Sequence, residues 1–301
     1  MSTRTTVLNL PEEELVHPGN RACAGCGLGL IYRTVLKALG EKTILVVPPS
    51  CLTVLQGLFP VAATKLPCLN VVFASTAAAA TGVAAALRAK KKEGVTVVAF
   101  AGDGGTSDIG IQALSGACER GDDFIYICYD NEAYMNTGVQ RSGTTPRGVL
   151  TTTTPFTGKP QAGKDVPAII AAHNLEYVAT ASASYPIDLY DKVKKAMTHG
   201  GVRYLHVHTP CPAGWGFDAR FSIKIGQLAV ESGMYDLYEI ENGAKRLTGH
   251  SQKLLGKKRK PVKDYLATQA RFRSIGEENA EEMQGQTDAK WGEYRVQFLT
   301  E

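Results

Sequence analysis

The sequence predicts an α/β fold: a doubly wound, mostly parallel sheet with helices on both faces. Short apolar, β-branched runs alternate with helix-like segments through the first two-thirds of the chain, which is the βαβ signature. Runs such as VTVVAFA and FIYICY are apolar throughout, as central strands covered on both faces must be. Strands are expected at Thr43 to Val47, Leu69 to Phe73, Val95 to Ala101, Phe124 to Tyr129, Glu176 to Thr180 and Arg203 to Thr209. Between them, helices are expected at Leu28 to Leu39, Ser75 to Lys92, Ile109 to Arg120, Val166 to His173 and Ile187 to Thr198. The helix STAAAATGVAAALRAKKKEG is rich in small residues, turns basic and ends at glycine. Alanine suits a helix, and small side chains let that helix lie close to the sheet or to a partner. Ligands of such sheets bind beyond the carboxyl ends of the strands, so site residues are sought there.

The chain has 301 residues, 44% apolar and 21% charged, with a formal charge of +4. That length suffices for one large domain with a buried core. The small net charge gives no electrostatic case for nucleic acid, which needs a concentrated basic face. The N-terminal MSTRTTVLNLPEEELVHPGN lacks an apolar secretory core, and no run of about 18 apolar residues offers a membrane span. A cytoplasmic protein without membrane insertion is expected. Residues 1–243 are assigned to the α/β domain. Beyond Gly243 the texture changes to KRLTGHSQKLLGKKRKPVKDY and acidic EENAEE, so residues 244–301 are expected to form a charged arm that contacts partner subunits. The basic run Lys257 to Lys260 is expected to be a solvated face or partner contact.

The strand VTVVAFA leads directly into GDGGTSDIG. Gly102, Gly104 and Gly105 let the backbone turn sharply and approach an oxyanion. Asp103 offers a hard carboxylate oxygen, and a helix starting near Ser107 or Asp108 would aim backbone N–H groups at phosphate. A tight turn with Asp as a helix cap would account for this segment equally well. A second signal follows 28 residues later, where FIYICYD runs into NEAYMNTGVQRSGTTPRG. Asn131 would then stand beside Asp103 at adjacent strand ends. A carboxylate, an amide oxygen, a backbone carbonyl and two phosphate oxygens would nearly complete the octahedron that magnesium demands.

The glycine–aspartate–glycine with an asparagine at this spacing is similar to the thiamine-diphosphate motif. The fuller string DNEAYMNTGVQRSGTTPRG resembles the β subunits of 2-oxoacid:ferredoxin oxidoreductases, pyruvate synthase above all, and the resemblance runs from about Asn20 to Gly243. It implies Asp103 and Asn131 as side-chain magnesium ligands and the Ala133 carbonyl as a third. It places Thr106 and Asp108 where residues cap or position the diphosphate. It puts Asn136, beside Thr137, near the reactive thiazolium and the substrate.

Seven cysteines occur, and in a reducing compartment they are metal ligands or buried thiols rather than disulfides. Cys23 and Cys26 form a C-x-x-C in RACAGCGLGL, which alone is a zinc half-site, a redox dithiol or an iron–sulfur half-site. Cys51 follows ILVVPPS and Cys211 follows YLHVHTP, so both stand at strand ends. Cys68, Cys118 and Cys128 fall in apolar patterns and are expected to be core thiols. The resemblance implies that Cys23, Cys26, Cys51 and Cys211 hold a [4Fe-4S] cluster near thiamine diphosphate. The stretch TPCPAGWGF also looks like that of the family, whereas Asn20 and Pro49-Ser50 depart from it.

The function so implied is oxidative decarboxylation of a 2-oxoacid on thiamine diphosphate, with transfer of the acyl group to coenzyme A and of electrons through the cluster to ferredoxin or another acceptor. Pyruvate is the substrate the resemblance favours; aryl, branched-chain and indole 2-oxoacids or oxalate are the alternatives. The implied partners are a pyrimidine-binding α-type subunit and further subunits, γ and a ferredoxin-like δ. A zinc-stabilised nucleotide-binding module without catalysis is the reading from another class.

Overall fold

The computed structural model describes residues 5–299. Its strands are β1 (Thr43–Val47), β2 (Cys68–Asn70), β3 (Thr96–Gly102), β4 (Phe124–Asp130), β5 (Tyr177–Ser182), β6 (Val202–His208), β7 (Tyr238–Glu241) and β8 (Ala244–Leu247). The helices are α1 (Gly27–Leu39), α2 (Cys51–Gln56), α3 (Thr76–Ala89), α4 (Asp103–Ser107), α5 (Ile111–Arg120), α6 (Val166–Ala171), α7 (Pro186–Ala196), α8 (Pro212–Trp215), α9 (Ser222–Ser232), α10 (Gly249–Leu254), α11 (Val262–Leu266) and α12 (Glu277–Leu299). All eight strands lie in one sheet, in the order β2-β1-β3-β4-β6-β5-β7-β8. The first six pair in parallel, and β7 and β8 close the sheet antiparallel. The doubly wound architecture is as the sequence predicts.

Both faces are covered. On one, Leu28, Ile31, Val35 and Leu36 of α1 and Leu189 and Val193 of α7 pack on Leu45, Phe100, Ile127 and Leu205. On the other, Ala77, Ala80 and Ala84 of α3 meet Leu114 and Ala117 of α5 and the strand residues Val97, Ala99 and Tyr126. The alanines recur at helical spacing on the buried side, so the small-residue helix packs on its own sheet. The run Leu69 to Phe73 yields only a short edge strand, because Phe73–Ser75 turns into a 3-10 coil that starts α3. The helix expected from Ser107 or Asp108 begins at Asp103 as the short α4. It breaks at Asp108 (φ −112°, ψ −84°) and resumes as α5.

The boundary expected at Gly243 falls at the turn of the β7–β8 hairpin. Beyond it, α12 lays Trp291 (1% exposed) and Tyr294 against Tyr238 and Leu247. The Trp291 indole N–H donates to the Gly233 carbonyl at 3.1 Å, and the Tyr294 hydroxyl donates to Asp236 at 2.7 Å. Within the basic run, Arg259 pairs with Asp288 and stacks on Trp291, and Lys260 pairs with Glu231. Among the described residues no helix is long and apolar enough to cross a membrane. Truncating a buried Trp leaves a large cavity, so Trp291→Ala should lower the unfolding free energy by about 3–5 kcal/mol, read from urea denaturation. An unchanged midpoint would mean that α12 contributes nothing to the stability of the folded chain.

Candidate active site

Four neighbouring parallel strands, β1, β3, β4 and β6, end at one edge of the sheet and deliver Cys51, Asp103, Asn131 and Cys211 there. The β3–β4 register sets Gly102 opposite Tyr129, so Asp103 and Asn131 leave the sheet side by side. A cavity of about 280 Å³ opens above them, lined by Pro49, Ser50, Cys51, Phe73, Gly102, Asp103, Gly104, Gly105, Tyr129, Asn131, Ala133, Tyr134, Met135, Asn136 and Thr137. Its glycines are there because rings crowd the backbone. A Cβ on Gly104 would enter the Tyr134 ring, one on Gly102 would lie 3.2 Å from Tyr129, and one on Gly105 would lie 3.1 Å from Phe73.

Asp103 and Asn131 are almost completely buried. The Asn131 side-chain amide stands 3.1 Å from Asp103 Oδ1 and 2.9 Å from the Ala133 carbonyl oxygen. With its nitrogen turned toward them it donates to both. With its oxygen turned toward them, it lies against the Asp103 carboxylate on one side and the Ala133 carbonyl on the other. Adjacent ligands of an octahedral magnesium with bonds of about 2.1 Å lie about 3 Å apart, so the spacing fits that ion. The charges agree. Burial, and then the neighbouring Asp130 carboxylate, push the Asp103 pKa well above the usual range. A cation bound here would reverse that penalty.

Behind this group lies a network that the sequence reading did not single out. Thr144 Oγ1 donates within reach of both Asp103 (3.1 Å) and Asp130 (2.9 Å). Asp130 also accepts from the Glu132 N–H at 2.8 Å and lies 2.8 Å from His206 Nε2. Burial opposes the Asp130 charge, but His206 and Thr144 hold its pKa below the ordinary value. The Thr144 loop is fixed in turn by the buried Lys159, whose ammonium donates to the carbonyls of Ser142, Gly143 and Thr145 at 3.3, 2.9 and 2.7 Å. Asp130 ends its strand and Thr144 lies inside the DNEAYMNTGVQRSGTTPRG string; a polar residue closing an otherwise apolar strand was the available signal.

Thr106 and Asp108, expected to position the diphosphate, do not line the cavity. Thr106 Oγ1 donates to the Gly102 carbonyl at 2.7 Å and lies 3.1 Å from the Tyr126 hydroxyl. Asp108 accepts from Tyr134 (3.0 Å), the Gly143 N–H (2.8 Å) and Lys164 (2.8 Å), so it braces the loop instead. Asn136 and Thr137 are exposed and line the cavity mouth.

All seven cysteines are free thiols. Cys26 caps α1, Cys51 opens α2 and Cys211 caps α8. The Gly27 N–H donates to the Pro210 carbonyl at 3.2 Å, tying the C-x-x-C to the Cys211 strand end. Gly25 (φ +68°) is required there, since a Cβ would strike the Ala219–Phe221 turn. Burial raises the Cys51 pKa to about 12, with Cys211, Cys26, Asp103 and Cys23 adding to the rise. Cys211 is raised to about 11, by burial first and then by Cys26 and Cys23. Cys51 borders the cavity, and backbone N–H groups of Gly29 and Leu28 (to Cys26) and Gly214 (to Cys211) face two of the four sulfurs. Among the described residues no three His, Cys, Asp or Glu side chains are grouped as ligands of a single ion. Cys118 and Cys128 are buried core thiols, while Cys68 is half-buried and accepts from Gln56 Nε2 at 3.1 Å.

Residues 64–207 match the family described as thiamine pyrophosphate enzyme, C-terminal TPP binding domain. Fold and site together thus define a thiamine-pyrophosphate-binding module. The chain is 50% identical over 294 residues to the pyruvate synthase subunit PorB of Methanothermobacter thermautotrophicus, covering 96% of this chain and 100% of that one. It is 43% identical to the ketoisovalerate oxidoreductase subunit VorB of Pyrococcus furiosus, covering 94% and 93%. A solved 2-oxoglutarate:ferredoxin oxidoreductase from Magnetococcus marinus shares the fold, with a TM-score of 0.58 and 20% identity over 73% of this chain and 82% of that one. The chain belongs to the PorB/VorB family of 2-oxoacid oxidoreductase subunits.

His208 closes β6 beside Asp130, stacked on Tyr235 and tilted against Trp215. Burial lowers its pKa to about 3, so between that value and about 6.5 the unfolded chain binds the proton and the folded chain does not. Its contribution is complete above the unfolded pKa and is lost as pH falls. His208→Phe keeps the stacking and should flatten the acid side of the stability curve, by on the order of 2 kcal/mol between pH 6.5 and 5. Denaturant titrations of both proteins at the two pH values measure it; parallel curves would mean His208 does not titrate with unfolding.

Proposed function

We propose that the chain is the thiamine-diphosphate-binding subunit of a coenzyme A-acylating 2-oxoacid oxidoreductase that acts on pyruvate or a related 2-oxoacid. The observation that carries this reading is the approach of Asp103, Asn131 and the Ala133 carbonyl, at octahedral spacing, in the floor of a cavity whose wall includes Cys51. Magnesium held by those three oxygens would anchor the diphosphate, with Gly104 and Gly105 offering a bare backbone beside it. Thiamine diphosphate, when bound, supplies the carbanion chemistry that decarboxylates a 2-oxoacid. Asn136, at the cavity mouth, is the side chain suited to orient the substrate by hydrogen bonding. Cys23, Cys26, Cys51 and Cys211 would hold a [4Fe-4S] cluster beside the cavity, as an exit for electrons toward ferredoxin or another acceptor.

The described residues offer one such module and one diphosphate loop. A pyrimidine-binding α-type subunit would complete the cofactor site, with γ and ferredoxin-like δ subunits as further partners and coenzyme A as the acyl acceptor. The exposed apolar residues Phe59, Val61, Leu69 and Val72, close in sequence to the cavity residues Cys51 and Phe73, suit such a contact. Pyruvate synthase and ketoisovalerate oxidoreductase are the named activities of the relatives, and the Pro49-Ser50 pair in the cavity wall is where the choice among 2-oxoacids would be expressed. A cytoplasmic location accords with the free thiols.

Three measurements test the proposal. In the assembled complex, Asp103→Ala should abolish magnesium-dependent thiamine diphosphate binding by calorimetry; wild-type affinity would reduce the glycine loop to a turn. Protein purified without oxygen should contain iron and acid-labile sulfide and give a reduced-cluster EPR signal with dithionite. Cys211→Ser should lower iron content and the buried Cys128→Ser should not; equal loss would overturn the ligand set. The purified chain alone should fail to reduce viologen dye with any 2-oxoacid and should gain that activity when partner subunits are added. Turnover by the lone chain would sink the half-site reading.

A further inference from the structure

Glu132 stands in the chain between two members of the oxygen group, Asn131 and Ala133, and adopts a left-handed backbone conformation (φ +64°). A residue with a long side chain seldom rests there unless its surroundings hold it. Here they do. Its N–H donates to Asp130 (2.8 Å) and its carbonyl accepts from Thr145 Oγ1 (2.6 Å). Its carboxylate is paired with the guanidinium of Arg271, contributed from 139 residues away by the segment between α11 and α12.

Arg271 is itself fixed on every side. It is 4% exposed, lies over the Trp215 ring with its guanidinium carbon 3.7 Å from the centroid, and donates to Gln269 at 2.8 Å and to the Tyr265 hydroxyl at 3.3 Å. Its carbonyl accepts from the Leu150 N–H at 2.9 Å, and the preceding Ala270 N–H donates to the Gly216 carbonyl at 3.2 Å. Trp215, beneath it, donates through its indole N–H to the Asn131 carbonyl at 2.8 Å. Thus the Arg271–Trp215 stack grips Asn131 and Glu132 together.

We propose that Arg271 is a positioning residue of the metal site, which makes the segment after Gly243 part of the site rather than only a region for subunit docking. The inference rests on the reading of Asp103, Asn131 and Ala133 as magnesium ligands. Without the ion pair, only the backbone bonds to Asp130 and Thr145 hold Glu132 in its left-handed conformation, and the Asn131 amide and Ala133 carbonyl are less firmly aligned. Partners that orient metal ligands from behind typically alter metal affinity by about 10–100-fold when removed.

The test uses the assembled complex and Mn2+ as an EPR-visible stand-in for magnesium, titrated at saturating thiamine diphosphate. Arg271→Met should weaken Mn2+ binding by about 10–100-fold while the near-ultraviolet circular dichroism stays that of folded protein. Arg271→Lys, which keeps the charge, should recover most of the affinity, an ordering that a loss of general stability would not give. Should Arg271→Met fail to assemble because it leaves the Glu132 carboxylate buried without its partner, the double variant Glu132→Gln/Arg271→Met leaves no orphan charge and should show the same weakened binding. Wild-type Mn2+ affinity in a folded Arg271→Met or double variant overturns the proposal. Absence of metal-dependent thiamine diphosphate binding in the wild-type complex would instead overturn the reading of the metal ligands on which it rests.

Discussion

The site depends on four strands being neighbours and pointing the same way. In the order β1-β3-β4-β6, each strand ends at the same edge of the sheet, and each hands one candidate site residue to the space above it: Cys51, Asp103, Asn131 and Cys211. Parallel pairing is what makes this possible. An antiparallel neighbour would carry its following residue to the opposite edge. The crossovers that parallel pairing demands also explain why both faces of the sheet are sealed by helices and why β3 and β4 are apolar on nearly every residue. The same six strands that satisfy the backbone therefore fix the lateral spacing of the chemistry.

That placement has an electrostatic cost. Asp103 and Asp130 are both nearly fully buried, and Thr144 bridges them with a single hydroxyl. Two carboxylates in such a setting cannot both ionise without help. Help comes unequally: His206 stands 2.8 Å from Asp130, whereas Asp103 meets the Asn131 amide and the Ala133 carbonyl. Asp130 is thus provided for within the protein, and Asp103 is left as the carboxylate that a cation would complete. The buried Lys159 forms no direct ion pair with either, because its three protons are committed to backbone carbonyls that shape the Thr144 loop.

Most of the framework is legible in the sequence, since strand interiors and strand-end residues are local properties. The runs TILVV, VTVVAFA and FIYICYD gave three central strands to within a residue, and Asp103 and Asn131 follow from where those runs stop. What local pattern could not reveal is which side chain a residue faces. Asp108 looks like a phosphate-loop cap by position, yet Tyr134, Gly143 and Lys164 already occupy its carboxylate. Thr106 likewise turns into its own helix and toward Tyr126. The segment after Gly243 was harder still. Its apolar residues are sparse, so no run announces a core, but Trp291 with Tyr294, and Tyr265 with Phe272, are buried as contacting pairs drawn from scattered positions. Isolated aromatics bury large areas without leaving a periodic trace.

The distant segments matter because of what a short loop can and cannot do alone. Asn131, Glu132 and Ala133 form a turn that includes a non-glycine residue at positive φ, and nothing in that tripeptide favours the conformation. Besides the nearby Asp130 and Thr145, the contacts that hold it come from Trp215, 84 residues later in the chain, and from Arg271, 139 residues later. Loop-closure entropy grows only slowly with such separations, so contacts of this reach are affordable once the sheet has brought the segments together. They form only then. The geometry of the Asn131–Ala133 turn is therefore a property of the completed fold, and the cysteine end of β6 shares in it: α8 runs from its cap at Cys211 to Trp215, so one four-residue helix joins the Cys211 thiol to the carbonyl of Asn131.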